Sequence, residues 1–475
     1  MLKNIKHDKY AVLPFNTEKI KDCYLVSNYL GGWGILSETE FKQLHQNNII
    51  AQNLKEKLVQ RGLIVNRDNG AKLISDYRRL NAHLFTGTSL HIVVVTTRCN
   101  LRCTYCQTNN NPNMDMDIKT AKKVLSFFQD CPNPFINLEF QGGEPLLNWE
   151  VVKFLTLNVQ KIQKKSRLSL VTNGTLLDLE KIQFLTENNV SICISLDGPQ
   201  LVHDKNRLFA KGKGTYKKVI SALTKLQVFH KKNKNNKTIN LLPTITKHSL
   251  KYYKQIIDEY VKYNAAIISL RPVTEIGAAT CEWDKLGYKS EEFNIFWQKS
   301  MDYILQLNKK GIKIKERMAE VLLKKILVKS DPGYVDLMCP CGAGRKVLTY
   351  MPNGDIYPCD EARMTDDEMF KLGNLNQGTS YAQVIKSPNL FSLSCASLMQ
   401  LWDYNSAFSP WVGTCPVLNY VNDKNLVPKI TTTPMHKISR FQLKYLFTKM
   451  LESRKNEEIF WRWVGKDKPE FSLHD

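Results

Sequence analysis

The 475-residue chain has no run of 18 or more apolar residues, so no membrane-spanning helix is expected. Its start, Met1 to Lys9, carries basic residues with no apolar stretch behind them. It does not read as a secretory signal, and a cytoplasmic location is expected. Low-complexity linkers are missing, as are internal repeats beyond a βα alternation. Acidic residues are scarce, with 45 Asp+Glu against 67 Lys+Arg, a formal net charge of +22. Arginine is scarce within the basic set, and Asn-Lys stretches such as Lys231 to Lys237 recur. That pattern reads as compositional bias on solvated faces rather than a phosphate-binding stripe, though the field would still attract an acidic peptide or a polyanion. At 43% hydrophobic and 24% charged, the chain is neither disordered nor collagenous. Its length suits about two to four domains. Without export, its 12 cysteines are expected to be metal ligands, catalytic groups or core thiols rather than a disulfide frame.

Three patterns follow one another. Residues 1–85 read as a small α+β module: strand Tyr24-Leu25-Val26-Ser27, a Gly31-Gly32-Trp33-Gly34 turn, and a returning Ile35-Leu36. Ser37 and Glu40 form a capping box for a helix from Glu38. A second helix ends at Gly62. Such a unit can pair a strand with a peptide, or simply cap its neighbour. Residues 86–290 alternate apolar runs (Leu90–Val95, Ile136–Phe140, Leu168–Val171, Ile192–Leu196, Ile239–Ile245, Ala265–Leu270) with amphipathic stretches. Six βα units predict an α/β fold with a parallel sheet, either an open wound sheet or a partial barrel. In both, chemistry gathers at the carboxyl ends of the strands. Residues 291–430 hold two helices and a loop-rich, cysteine-bearing extension. Residues 431–475 hold a terminal helix and an aromatic tail.

The strongest motif is Cys99-Asn100-Leu101-Arg102-Cys103-Thr104-Tyr105-Cys106, a C-x3-C-x2-C directly after the first strand. Three thiolates on one loop can hold three irons of a [4Fe-4S] cubane and leave the fourth open to a small molecule. Structural zinc would want a fourth nearby ligand, and none is present. Gln141-Gly142-Gly143-Glu144-Pro145 ends the second strand: its glycines let backbone approach closely, and Glu144 offers a carboxylate to an ammonium group. Gly212-Lys213-Gly214-Thr215 fails the spacing of a phosphate loop and is set aside.

These residues resemble the radical S-adenosylmethionine (SAM) superfamily, built on C-x3-C-x2-C after the first strand of a partial (β/α)6 barrel. The resemblance implies reductive cleavage of S-adenosylmethionine at the open iron, giving a 5′-deoxyadenosyl radical that takes a hydrogen atom from substrate. It places Tyr105 near adenine, gives Gly142, Gly143 and Glu144 the methionyl amino group, and puts Asn173 at the ribose and carboxylate. In similar peptide-modifying members, residues matching Ser195 and Arg207 hold the cofactor carboxylate.

Further along, Cys341-x12-Gly354-x4-Cys359 is similar to the first half of an auxiliary-cluster (SPASM-like) extension, its glycine turning a hairpin. Asp360 matches a proton acceptor of sulfatase-maturing relatives; read alone, it is a solvated turn carboxylate. Across residues 1–430 the chain looks most like the B-type His-Xaa-Ser system radical SAM maturases. Their tokens are Pro14-Phe15, Thr97-Arg98-Cys99-Asn100, Cys341-Gly342-Ala343-Gly344, Tyr357-Pro358-Cys359-Asp360 and Gly413-Thr414-Cys415-Pro416. That resemblance implies a ribosomally made precursor peptide, a second radical SAM maturase and an external electron donor as partners, with a winged-helix-like recognition module at the start. One departure stands out: Asp403, Ser406, Val412 and His436 occupy places where relatives carry cysteines. Cys339, Cys341, Cys359, Cys395 and Cys415 therefore either hold one auxiliary cluster or a zinc ion, or remain reduced thiols. Cys23, Cys131, Cys193 and Cys281 are expected to be packing residues. The competing readings are a radical SAM enzyme of RNA, which +22 would suit but no RNA-binding motif supports, and a non-catalytic binding subunit.

Overall fold

The computed structural model describes residues 10–108, 112–233, 239–330, 332–365, 367–398 and 405–466. Met1 to Lys9, most of the Asn-Lys run and Asp403 lie outside the described residues. Near the start, β1 (Asn16–Ile20), β2 (Cys23–Ser27) and β3 (Trp33–Leu36) form an antiparallel sheet. The Ser37–Glu40 capping box forms as expected, with Ser37 N–H donating to Glu40 at 2.7 Å and Glu40 N–H to Ser37 Oγ at 3.3 Å. Gly62 ends the Gln52–Arg61 helix at φ 74°, a left-handed conformation that glycine adopts without steric cost. The polar strand β1 carries no alternation by which the sequence could announce it. The unit packs on the far end of the chain. Trp33 donates its indole N–H to the Ile326 carbonyl at 2.8 Å and packs edge-on against Trp411 and Phe447. Ser27 Oγ donates to Ala407 O, and Arg440 and Lys444 pair with Glu18.

In the centre, β4 (Leu90–Thr96), β5 (Phe135–Gly142), β6 (Lys165–Thr172), β7 (Val190–Ser195) and β8 (Asn240–Leu242) pair in parallel in chain order. Helices Ile118–Asp130, Trp149–Val159, Leu179–Glu187 and Tyr216–Lys232 fill the crossovers, each burying an apolar stripe. This is the expected α/β architecture, a parallel sheet in the form of a partial barrel; among the described residues the sheet does not close. The expected fifth and sixth strands are shorter than their apolar runs. Pro243, with no N–H to give a ladder, splits the fifth. Asn240–Leu242 pairs with β7, while Thr244–Ile245 pairs with Arg271–Pro272. The sixth run contributes only Ile267–Ile268, paired with Lys315–Glu316.

The other edge of β4 carries what the sequence did not disclose. Strand β9 (Val347–Tyr350) pairs in parallel with Leu90–Val93, followed by antiparallel β10 (Asp355–Tyr357) and β11 (Gly373–Asn374), making an eight-stranded sheet. Gly354, at φ 89°, turns the β9–β10 hairpin. The cysteine-bearing extension is thus hydrogen-bonded into the barrel sheet. No helix among the described residues is long and apolar enough to cross a membrane.

His91, on β4, is buried against Phe128, its Nδ1 2.8 Å from the Tyr350 hydroxyl. Burial pushes its pKa down to about 3. A folded pKa below the unfolded value means that the neutral ring's contribution is complete above pH 6.5 and is lost as pH falls toward 3. The expected loss is about 1.4 kcal/mol per pH unit in that window. Urea unfolding between pH 7 and 4 should show this slope, and His91→Gln should flatten it.

Candidate active site

Strand β4 delivers the loop Thr97–Cys106 at its carboxyl end, and backbone hydrogen bonds pin that loop in place. Arg102 N–H donates to Leu208 O at 2.7 Å, Thr104 N–H to Asn206 O at 2.9 Å, and Cys106 N–H to Cys103 O at 3.1 Å. All three thiols are partly buried. Cys99 Sγ accepts from Leu101 N–H at 3.4 Å and lies 3.9 Å from Asn173 Nδ2; Cys103 Sγ lies 4.0 Å from Arg207 Nη1. Burial pushes the Cys99 thiol up to about 11 and the Cys103 thiol up to about 12, and the neighbouring thiols push in the same direction. Deprotonating Cys99 and Cys103 in this setting requires a compensating cation, and a metal centre would provide it. Among the described residues no three Cys, His, Asp or Glu side chains converge on one point as a single metal ion would need. A cubane makes no such demand, since each thiolate binds its own iron.

The Gly-Gly-Glu-Pro turn lies directly against this loop. A Cβ on Gly142 would stand 2.4 Å from Thr96 O, and one on Gly143 2.3 Å from Arg98 O. Only glycine allows Gly143 N–H and Glu144 N–H to reach Thr96 O and Arg98 O at 3.0 and 2.8 Å. Glu144, wholly buried, accepts from Thr172 Oγ1 at 2.7 Å, Asn173 N–H at 2.8 Å and Leu146 N–H at 3.1 Å. Burial nonetheless raises its pKa to about 7. A bound ammonium would offset that desolvation. Asn173 donates to Asn100 Oδ1 at 2.9 Å and accepts from Thr175. Ser195 is buried at the end of β7.

Sequence reasoning missed the hub of the site. The Asp197 carboxylate, wholly buried, accepts from the Tyr105 hydroxyl at 2.9 Å, Asn206 Nδ2 at 3.1 Å, Arg207 Nε at 3.1 Å and Thr244 N–H at 3.1 Å. Arg207, expected to face a ligand carboxylate, commits Nε to Asp197 and lies over the Tyr105 ring. Asn100, Thr172 and Thr175 were missed too; the available signal was a polar residue just past each strand end.

A second group of thiols belongs to the C-terminal extension, and one of them, Cys415, lines a cavity that also reaches Gln107 beside the first group. Cys341, Cys359 and Cys415 are buried and line one small cavity with Asp336, Leu393 and Val417. Cys339 lines an adjacent cavity with Ser397 and Val412. Cys395 is exposed and lines neither of these two cavities. Cys281 is exposed as well, against the expectation of a packing residue, whereas Cys131 is buried and its thiol donates to Thr88 O. Val412 is buried, Ser406 Oγ caps Phe408 N–H, and His436 lies in the first turn of the Pro434–Glu452 helix. Asp360 is no solvated turn carboxylate. It accepts from Arg363 Nε at 2.7 Å, and a chain continues through Gln141 to Glu139 and Ser169 inside the barrel.

Compared with known proteins, residues 93–256 match the Radical SAM superfamily. The chain carries a radical SAM domain. Around this domain, it is 28% identical over 309 residues to a cysteine-type anaerobic sulfatase-maturating enzyme of Clostridium perfringens, covering 61% of this chain and 78% of that enzyme. Among solved structures, native anSMEcpe with bound AdoMet superposes with a TM-score of 0.64 at 20% identity, over 77% of this chain and 97% of that one. Streptococcus suis SuiB bound to precursor peptide SuiA superposes with a TM-score of 0.55 at 15% identity, over 88% and 98%. The likeness to these structures is one of fold, and it reaches beyond the length of the matched radical SAM segment.

Proposed function

We propose that this protein is a radical SAM enzyme that modifies a side chain of a ribosomally made peptide or protein, the His-Xaa-Ser type being the preferred substrate. The observation that carries this reading is the contact between the Cys99–Cys106 loop and Gly143-Glu144. It sets three thiols and a desolvated carboxylate at the same strand ends. Cys99, Cys103 and Cys106 would hold a [4Fe-4S] cluster. When bound, cluster and S-adenosylmethionine supply reductive cleavage of the cofactor and a 5′-deoxyadenosyl radical. Glu144 neutralises the cofactor's ammonium group. Gly142 and Gly143 let backbone approach it, and Asn173 and Ser195 offer hydrogen bonds at adjoining strand ends. Tyr105 and Arg207, locked by Asp197, close one wall, with the Arg207 guanidinium beside the Cys103 sulfur. Asp360, oriented by Arg363, is the candidate proton acceptor from the substrate. The likeness to a sulfatase-maturating enzyme and to a peptide-bound structure supports the peptide class.

Two experiments test this. The anaerobically reconstituted protein should form 5′-deoxyadenosine under reductant, and a peptide encoded beside its gene should change mass on co-expression. A protein that never cleaves the cofactor overturns the reading. Iron analysis addresses the second centre: about eight irons per chain are expected if Cys341, Cys359 and Cys415 hold a further four-iron cluster, and about four if they remain thiols.

A further inference from the structure

A large cavity lies between the two thiol groups. It spans from Gln107, the residue after Cys106, to Glu361 and Cys415, and encloses about 1430 Å³ including the part open to solvent. Its charge is opposite to that of the chain as a whole. Glu275, Glu316, Asp336 and Glu361 line it, against a single cation among the described residues, Arg271. Arg271 lies 3.6 Å from Glu361, and Glu316 is occupied by the backbone N–H groups of Leu270 and Ala319. Asp336 and Glu361 are therefore left sharing one guanidinium. A cation entering here would pair with these carboxylates, whereas an anion would meet their repulsion.

A second, independent observation points to an occupant. The Pro434–Glu452 helix turns Met435, Ile438 and Gln442 toward the cavity. The Gln442 side chain is only 3% exposed, and its amide has no hydrogen-bond partner among the described residues. A buried amide with free donor and acceptor matches a peptide group, which presents the complementary pair. Trp283, Met318 and Met435 give the same cavity an apolar side, suited to the methylene stem of a long basic residue.

We propose that this cavity takes a peptide side chain bearing a positive charge, which Asp336 and Glu361 receive while Gln442 hydrogen-bonds the peptide backbone. The proposal rests on the peptide-modifying reading and names the substrate class within it. The net charge of +22 could draw an acidic leader to the outer surface, but the residue reaching the barrel would be basic.

The test uses the reconstituted holoenzyme and three capped pentapeptides, Gly-Ala-X-Ala-Gly, with X lysine, norleucine or glutamate. Binding is followed by calorimetry and saturation-transfer NMR. The lysine peptide should bind at least about tenfold more tightly than its uncharged isostere. Glu361→Gln and Asp336→Asn should each shrink that ratio below about threefold, and Gln442→Ala should weaken the lysine and norleucine peptides equally. If one acidic variant fails to fold, the other carries the comparison. Norleucine or glutamate binding as tightly as lysine overturns the proposal, as does the absence of binding by all three. Formation of 5′-deoxyadenosine is measured in parallel without peptide. Its loss with the lysine preference intact counts against the radical chemistry alone.

Discussion

Cys106→Ala is expected to abolish 5′-deoxyadenosine formation and to remove the iron chromophore of the first centre. The reason is geometric. Cys106 shares a tight turn with Cys103, whose carbonyl accepts its N–H at 3.1 Å, and alanine offers no soft ligand in its place. With two thiolates instead of three, a cubane loses one of its protein bonds, and its orientation toward Glu144 is lost with it. The control is Cys395→Ala. That thiol is exposed and lines neither cysteine cavity, so iron content and turnover should both stay at the parent level. Measuring iron, the visible spectrum and 5′-deoxyadenosine on the same samples separates loss of cluster from loss of fold. An alanine variant at 106 that keeps full cleavage activity would overturn the assignment of the loop.

Removing Asp197 should have the largest effect on stability. Its wholly buried carboxylate accepts four hydrogen bonds, one of them from buried Arg207. Asp197→Ala leaves that guanidinium as an uncompensated buried charge, which costs about 3–5 kcal/mol. Urea unfolding should read that loss. Asp197→Asn keeps the volume and two of the acceptor contacts but gives up the charge. In a variant that still folds, the positioning role predicts a raised KM for S-adenosylmethionine with unchanged iron content, because Arg207 and Tyr105 would no longer be held in place. An unchanged KM would reduce Asp197 to a purely structural residue.

Much of the core was legible because it obeys local rules. Ile92–Val95 and Leu168–Leu170 announce strands by β-branched and apolar runs, and Ser37–Glu40 announces a helix start by its capping pair. The Cys99–Cys106 loop and Gly142-Gly143-Glu144 are likewise contiguous motifs whose chemistry is written in their residue types. Strand β1 and Asp197 were not legible, for a common reason: neither has a local signature. Asn16-Thr17-Glu18-Lys19-Ile20 becomes a strand by pairing with β2. Asp197 becomes a hub only when a tyrosine 92 positions earlier and a threonine 47 positions later fold onto it.

The cysteines show the same division. The sequence by itself determined that Cys99, Cys103 and Cys106 act together, because short spacing confines them to one loop whatever the rest of the chain does. It could not rank Cys339, Cys341, Cys359, Cys395 and Cys415, which are spread over some 76 residues. Tertiary structure decided that Cys341, Cys359 and Cys415 share a cavity, that Cys339 faces its neighbour and that Cys395 points to solvent. It also decided that an acidic chamber lies between the two thiol groups of a basic chain. Net charge is a sum over all residues, whereas the field inside a cavity depends only on those that folding brings to its wall.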